Sequence, residues 1–172
     1  MGKVVIARVD ARLIHGQVMT NLSKSAGANA IFVADDAAAH DEFTKNIILG
    51  AGGRTGLKVR VLKEEGAVRY WQDRQYDNYN VILLTKTIEA MATLIESGVP
   101  IDELNLGGIP QRPGLIPIIK EVAITREQLN RLLDIETKFG THIYFQAIPS
   151  SKKVSLKDAA KIVESGEKSC LG

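Results

Sequence analysis

Cysteine is almost missing from this chain of 172 residues: Cys170 stands alone, with no partner for a disulfide and no neighbouring ligands for a metal. A lone thiol excludes a disulfide framework and fits a reducing compartment, so the cytoplasm is the expected address. Long apolar runs are missing too. Nothing approaches the roughly 20 consecutive apolar residues of a bilayer-spanning helix, and the run in MGKVVIARVD is too short for a secretory signal. The reading is therefore a protein neither exported nor inserted. Gly2 does not make a myristoylation site, because Ile6 stands where that motif asks for Ser or Thr. Charge of one sign is also lacking. Twenty-two basic and 20 acidic residues leave a formal +2, interspersed rather than gathered into a stripe, which excludes nucleic acid as the obvious partner.

What is present is an alternation of apolar runs with helix-period segments, without internal repeats or a linker. Strands are expected at Val4 to Val9, Ala30 to Asp36, Leu57 to Leu62, NVILLT, ELNLG, IIKEVAIT and THIYFQAI. Helices are expected from Gly16 to about Ala26, His40 to Leu49, Glu64 to Gln72, over KTIEAMATLIESG, from the Thr125 cap to about Phe139, and over SLKDAAKIVESG. GGIPQRPG must be a surface loop. This order predicts one domain over residues 1–172, an α/β protein folded as an open three-layer α/β/α sandwich around a mostly parallel, doubly wound sheet of about seven strands. Ligands of such sheets bind beyond the strands' carboxyl ends, where the winding reverses. That rule points to Asp10 to His15, Asp35 and Asp36, Thr85 and Lys86, Gly107 to Gly114, and Gln146 to Ser150.

RVDARLIHGQV sets His15 between the first strand and the first helix. Free backbone N–H groups and the positive end of the helix dipole belong there and favour an anion. A histidine can attack phosphorus and carry the group covalently. Arg12 is the candidate guanidinium for the phosphoryl oxygens, beside backbone N–H groups of a loop containing Leu13, Ile14, Gly16 and Gln17. Asp10 could accept the ring's other N–H and hold its tautomer. The plainer alternative is that His15 caps the helix and Arg12 pairs with Asp10 for stability alone.

Asp35 and Asp36 read either as an active-site wall near His15 or as a helix-capping turn. Lys86 could add positive charge to a phosphate site, or be a surface lysine at a helix start. GAGGRTG lacks the spacing of a phosphate loop. Tyr70, Trp71 and Tyr76 read as helix packing. His40 and His142 stand far from any second ligand, so no metal and no cofactor is expected. A non-catalytic anion-binding module is a second function class; a hydrolase lacks a convincing nucleophile.

The phrase ARVDARLIHGQV resembles the phosphorylation-site motif of the IIB subunits of the mannose/fructose/sorbose class of the bacterial sugar phosphotransferase system. The resemblance continues through VADD, GVPIDELNLGG, KEVAIT and YFQAIPSSKKVSL in the same order, over about residues 1–157, leaving 158–172 as a C-terminal helix and tail. It implies an open α/β sandwich in which His15 accepts a phosphoryl group from a phosphohistidine of the IIA component. His15 would then hand it to a sugar held by the membrane components IIC and IID, with the protein lying peripherally against that permease. Arg12 and Asp10 match the motif. Ala11, Ile109 and the ending IPSS depart from it, which leaves Gly108, Arg112 and Ser150 as candidate loop contacts only. The sugar stays open among mannose, fructose, sorbose and N-acetylgalactosamine, and so does a homo-oligomer.

Overall fold

Six parallel strands and one antiparallel strand form a single sheet in the computed structural model, which describes residues 1–171, with the side chains of residues 16–18 and 167–171 left aside. The strands are β1 (Lys3–Asp10), β2 (Ala30–Ala34), β3 (Lys58–Leu62), β4 (Asn80–Thr85), β5 (Glu103–Gly108), β8 (His142–Phe145) and β9 (Val154–Ser155), in the order β3-β2-β4-β1-β5-β8-β9. Strands β6 (Ile116–Ile119) and β7 (Val122–Ile124) form a separate antiparallel hairpin. The helices are α1 (Gly16–Ala26), α2 (Asp36–His40), α3 (Glu42–Gly53), α4 (Glu64–Arg74), α5 (Ile88–Glu96), α6 (Arg126–Phe139) and α7 (Leu156–Leu171).

Burial on both faces explains why the central strands read as continuous apolar runs. In β2, Ala30, Phe32 and Ala34 join the larger core with Met91 and Ile95 of α5 and Leu129 and Leu132 of α6, while Ile31 and Val33 join the smaller core with Met19 and Leu22 of α1 and Ile48 of α3. The α/β sandwich expected from the sequence is therefore present. Tyr70, Trp71 and Tyr76 pack with Phe32 and Tyr79 as an aromatic cluster, not as a ligand platform.

Three local expectations need correction. The helix expected from about His40 to Leu49 runs from Glu42 to Gly53, and a separate short helix, α2, precedes it, because Asp41 has extended backbone and its carboxylate accepts the Thr44 N–H, starting α3 afresh. IIKEVAIT is not a strand of the main sheet; it bends at Lys120–Glu121 into the β6–β7 hairpin, which hangs on Ile109 through Ile109 N to Glu121 O (2.9 Å) and Ala123 N to Ile109 O (3.0 Å). The seventh strand is instead β9, two residues pairing antiparallel to Tyr144 and Phe145, too short to leave a period in the sequence.

From β1 the chain winds through α1 towards β2 and one edge; from β5 it winds through α6 towards β8 and the other edge. The crevice where the winding reverses thus lies between the carboxyl ends of β1 and β5.

Candidate functional site

The reversal crevice is built by a break in strand pairing. β1 and β5 run in register from Ala7–Leu104 to Val9–Leu106, then shift, so that Asp10 faces Gly108 and Gly107 is the extra residue. Such a bulge bends the strand that carries the extra residue, here β5, and leaves β1 regular there. The chain past it is held by Ala11 N to Gly108 O (2.8 Å) and by a tight turn closed by Leu13 N to Asp10 O (2.9 Å). Leu13 takes φ 57° in that turn, a left-handed conformation rare for a residue with a Cβ. Its buried side chain, part of the α1-side core, holds the turn there. His15 follows in extended conformation and α1 begins at Gly16, but the imidazole makes no capping bond to the helix.

The ring turns instead to Asp10. His15 Nε2 lies 2.8 Å from Asp10 Oδ2, and the same carboxylate receives Arg12 N (3.0 Å), Arg12 Nε (3.2 Å) and Arg12 Nη2 (3.3 Å). Beneath it, Arg8 Nη2 reaches Oδ2 at 3.1 Å. Asp10 is wholly buried, yet its side-chain partners grade outwards, from Arg8 at 1% exposure to His15 at 22% and Arg12 at 57%. Burial alone would raise the Asp10 pKa; bonds from the Arg12 side chain and backbone, then from His15, with the Arg8 charge, outweigh it and hold the carboxyl below its ordinary value. An ionised carboxylate only accepts, so Nε2–H of His15 is the donor in this pair, and in the neutral ring the lone pair is on Nδ1. Among the described residues nothing hydrogen-bonds Nδ1.

Arg8 was not singled out in the sequence, although the signal was there: a charged residue in the middle of a buried strand has to be paired. By the two-residue period it shares a face with Asp10 and stands directly opposite Asn105. Its guanidinium donates to Asn105 Oδ1, to Gln146 O (3.4 Å) and to Ala147 O (2.8 Å). Burial lowers its pKa and Asp10 opposes that shift. The glycine pair makes the room: a Cβ on Gly107 would collide with the Arg8 guanidinium, and one on Gly108 would stand 2.7 Å from Asp10 Oδ1.

Of the outlying candidates, Asp35 and Asp36 take the second of their two readings. Asp35 accepts the Ala38 N–H (3.0 Å) to cap α2, Asp36 accepts the Glu64 N–H (2.8 Å) at the start of α4, and β4 lies between their strand and β1. They form no wall beside His15. Lys86 follows β4 and shares with Ala11, Arg112 and Leu115 a cleft of about 380 Å³; a second cleft of about 250 Å³ is lined by Ala11, Arg12, Gly108, Ile109 and Glu121. Ile14 is half-buried, and Ser150 is exposed on the turn after β8. The surroundings of Gly16 and the side chain of Gln17 lie outside the described residues.

The sequence profile described as PTS system sorbose subfamily IIB component matches residues 4–169. The chain belongs to that family. The sorbose-specific EIIB component of Klebsiella pneumoniae is 31% identical over 156 residues, covering 91% of this chain and 94% of the relative. The N-acetylgalactosamine-specific phosphotransferase enzyme IIB component 2 of Escherichia coli K12 is 32% identical over 164 residues, covering 91% and 98%. The crystal structure of manxB from Thermoanaerobacter tengcongensis superposes with a TM-score of 0.86 at 36% identity, covering 94% of this chain and 96% of that one. Components of this kind are phosphotransferases of the sugar phosphotransferase system. This IIB component, like them, is a mostly parallel sheet flanked by helices, and none of its described helices is long and apolar enough to cross a membrane.

Proposed function

We propose that His15 is the phosphoryl acceptor of this IIB component and that Nδ1 is the atom that carries the group. The observation that carries the proposal is the pairing of Nε2 with a buried, ionised Asp10, which leaves Nδ1 as the free nucleophile. In the first step the Nδ1 lone pair attacks phosphorus on a phosphohistidine of a IIA component, the donor's N–P bond breaks, and the donor imidazole leaves with that electron pair. The ring becomes cationic and Asp10, already its partner, stabilises the charge. Arg12 can turn its half-exposed guanidinium to the phosphoryl oxygens, assisted by backbone N–H groups at the α1 start.

In the second step a sugar hydroxyl attacks the same phosphorus, the Nδ1–P bond breaks, and the hydroxyl proton passes to a base on the sugar-bearing side. That side is the pair of membrane components IIC and IID, which places this protein on the cytoplasmic face. The sugar belongs to the class named by the relatives, sorbose and N-acetylgalactosamine among them. Asp10 acts as the orienting residue, with Leu13, Ile14, Gly16 and Gln17 supplying the loop around the phosphate and Lys86 and Gly108 its rim. Both steps proceed by positioning and electrostatics, with no metal.

The test is intact-mass spectrometry after incubation with phosphoenolpyruvate, Enzyme I, HPr and a matching IIA component. A gain of about 80 Da, one phosphoryl group, that is lost in acid and absent in His15→Ala is expected. Phosphate on His40 or His142 in that variant would overturn the assignment.

A further inference from the structure

Arg8 has no part in the two proposed transfer steps. It is costly to keep where it is. The guanidinium is 1% exposed, its Nε has no hydrogen-bond partner among the described residues, and a bulged glycine in β5 leaves the space through which its Cζ passes. A buried ion pair is weak evidence for stability, since well-packed apolar residues of similar volume often serve a fold equally well. What the arrangement does supply is geometry. One planar fork binds Asp10 at one edge, Asn105 at the other, and the carbonyls of Gln146 and Ala147 beyond β8. Asn105 donates to the same Gln146 carbonyl (2.9 Å), and the Gln146 amide donates to Ser151 O (2.6 Å), which secures the turn at residues 148–151.

We propose that Arg8 is a positioning residue for phosphoryl transfer: its buried guanidinium fixes the Asp10 carboxylate, and through it the His15 ring, against β5 and the turn that follows β8. The inference rests on the reading of His15 as the acceptor. Arg12 holds Asp10 from the exposed side and is the group that must turn to the phosphoryl oxygens. Arg8 stays on Oδ2 while Arg12 moves, so Asp10 remains a charged, single-conformer acceptor for Nε2–H through both steps. A lysine would keep the charge and lose the fork, because one ammonium cannot bind Asp10, Asn105 and two carbonyls in one plane.

The experiment uses the full-length protein with Arg8→Lys, and Asn105→Ala, which leaves the charge and removes the fork's far anchor. Imidazole ¹⁵N NMR reads the His15 tautomer, with His40 and His142 as internal references, and single-turnover transfer from phosphorylated IIA component reads the rate. Expected are folded variants in which the His15 signals move from one tautomer towards a mixture while the other two histidines do not move. Transfer at saturating donor should fall about ten- to a hundredfold with half-saturation unchanged. Wild-type His15 signals and rate in the folded variants overturn the proposal. Loss of folding in both assigns Arg8 to the fold alone and overturns it equally. The tautomer readout needs no phosphate, so it judges Arg8 even if His15→Ala is still phosphorylated and the acceptor assignment fails.

Discussion

His15 and Asp10 form one unit: Nε2 lies 2.8 Å from an Oδ2 that has no solvent exposure, while the ring itself is 22% exposed. The carboxylate is set by the fold and the imidazole is presented by it. The proposed transfer, in which His15 meets two partners in turn, needs this asymmetry, since a ring buried with its carboxylate could reach neither.

Replacing the carboxylate by its amide tests the unit. Asp10→Asn keeps the shape but leaves the Arg8 guanidinium buried without its counter-charge, which costs about 3–5 kcal/mol. A domain of this size holds about 5–15 kcal/mol, so the variant should fold with a visibly lower urea midpoint. Phosphoryl transfer to His15 should fall in the folded variant, because a neutral amide cannot serve as a charged acceptor; wild-type transfer would remove Asp10 from the mechanism.

Acid should erase that difference. Asp10 is held below its ordinary pKa, so the stability it contributes is fully present above the unfolded value of about 3.9 and is lost as pH falls through the lower folded value. The gap in unfolding free energy between wild type and Asp10→Asn should be constant from about pH 5 to 7 and narrow below about pH 4. Urea titrations at stepped pH measure it; a gap that widens in acid would reverse the sign.

Arg12→Ala should separate chemistry from stability. Its guanidinium is 57% exposed, so its pairing with Asp10 is worth no more than about 1 kcal/mol. If Arg12 meets the phosphoryl oxygens, transfer should slow by about a hundred- to a thousandfold. Thermal melting beside single-turnover transfer distinguishes the two, and equal small losses in both would leave Arg12 a surface ion pair.

Gly108→Ala should damage the site from behind. Its Cβ would stand 2.7 Å from Asp10 Oδ1 and 2.9 Å from Cγ, and neither atom can retreat without leaving Arg8 or Arg12. Overpacking of this kind costs about 1–3 kcal/mol, and the displaced carboxylate should drag the His15 tautomer with it. Gly53→Ala, where nothing lies within 4 Å, is the control and should leave transfer at the wild-type level.

Periodicity and breakers in the sequence by themselves determined the α/β class, most strand and helix positions, and the prominence of Asp10, Arg12 and His15, because these are local properties of a buried strand ending in a helix start. Capping of α6 was legible in the same way: Thr125 and Gln128 form a reciprocal pair three residues apart. The β6–β7 hairpin was not, since Lys120–Glu121 carries no glycine or proline to mark the bend, and neither was β9, whose two residues pair only because Tyr144 and Phe145 are beside them. Tertiary structure alone decided that Asp35 and Asp36 are caps, that His15 turns away from its own helix to Asp10, and that Arg8 belongs to the site. Those outcomes depend on which strands become neighbours: β4 separates β2 from β1, and β5 brings Asn105, Gly107 and Gly108 against Arg8 and Asp10 across about a hundred residues of chain, a distance over which no local pattern can act.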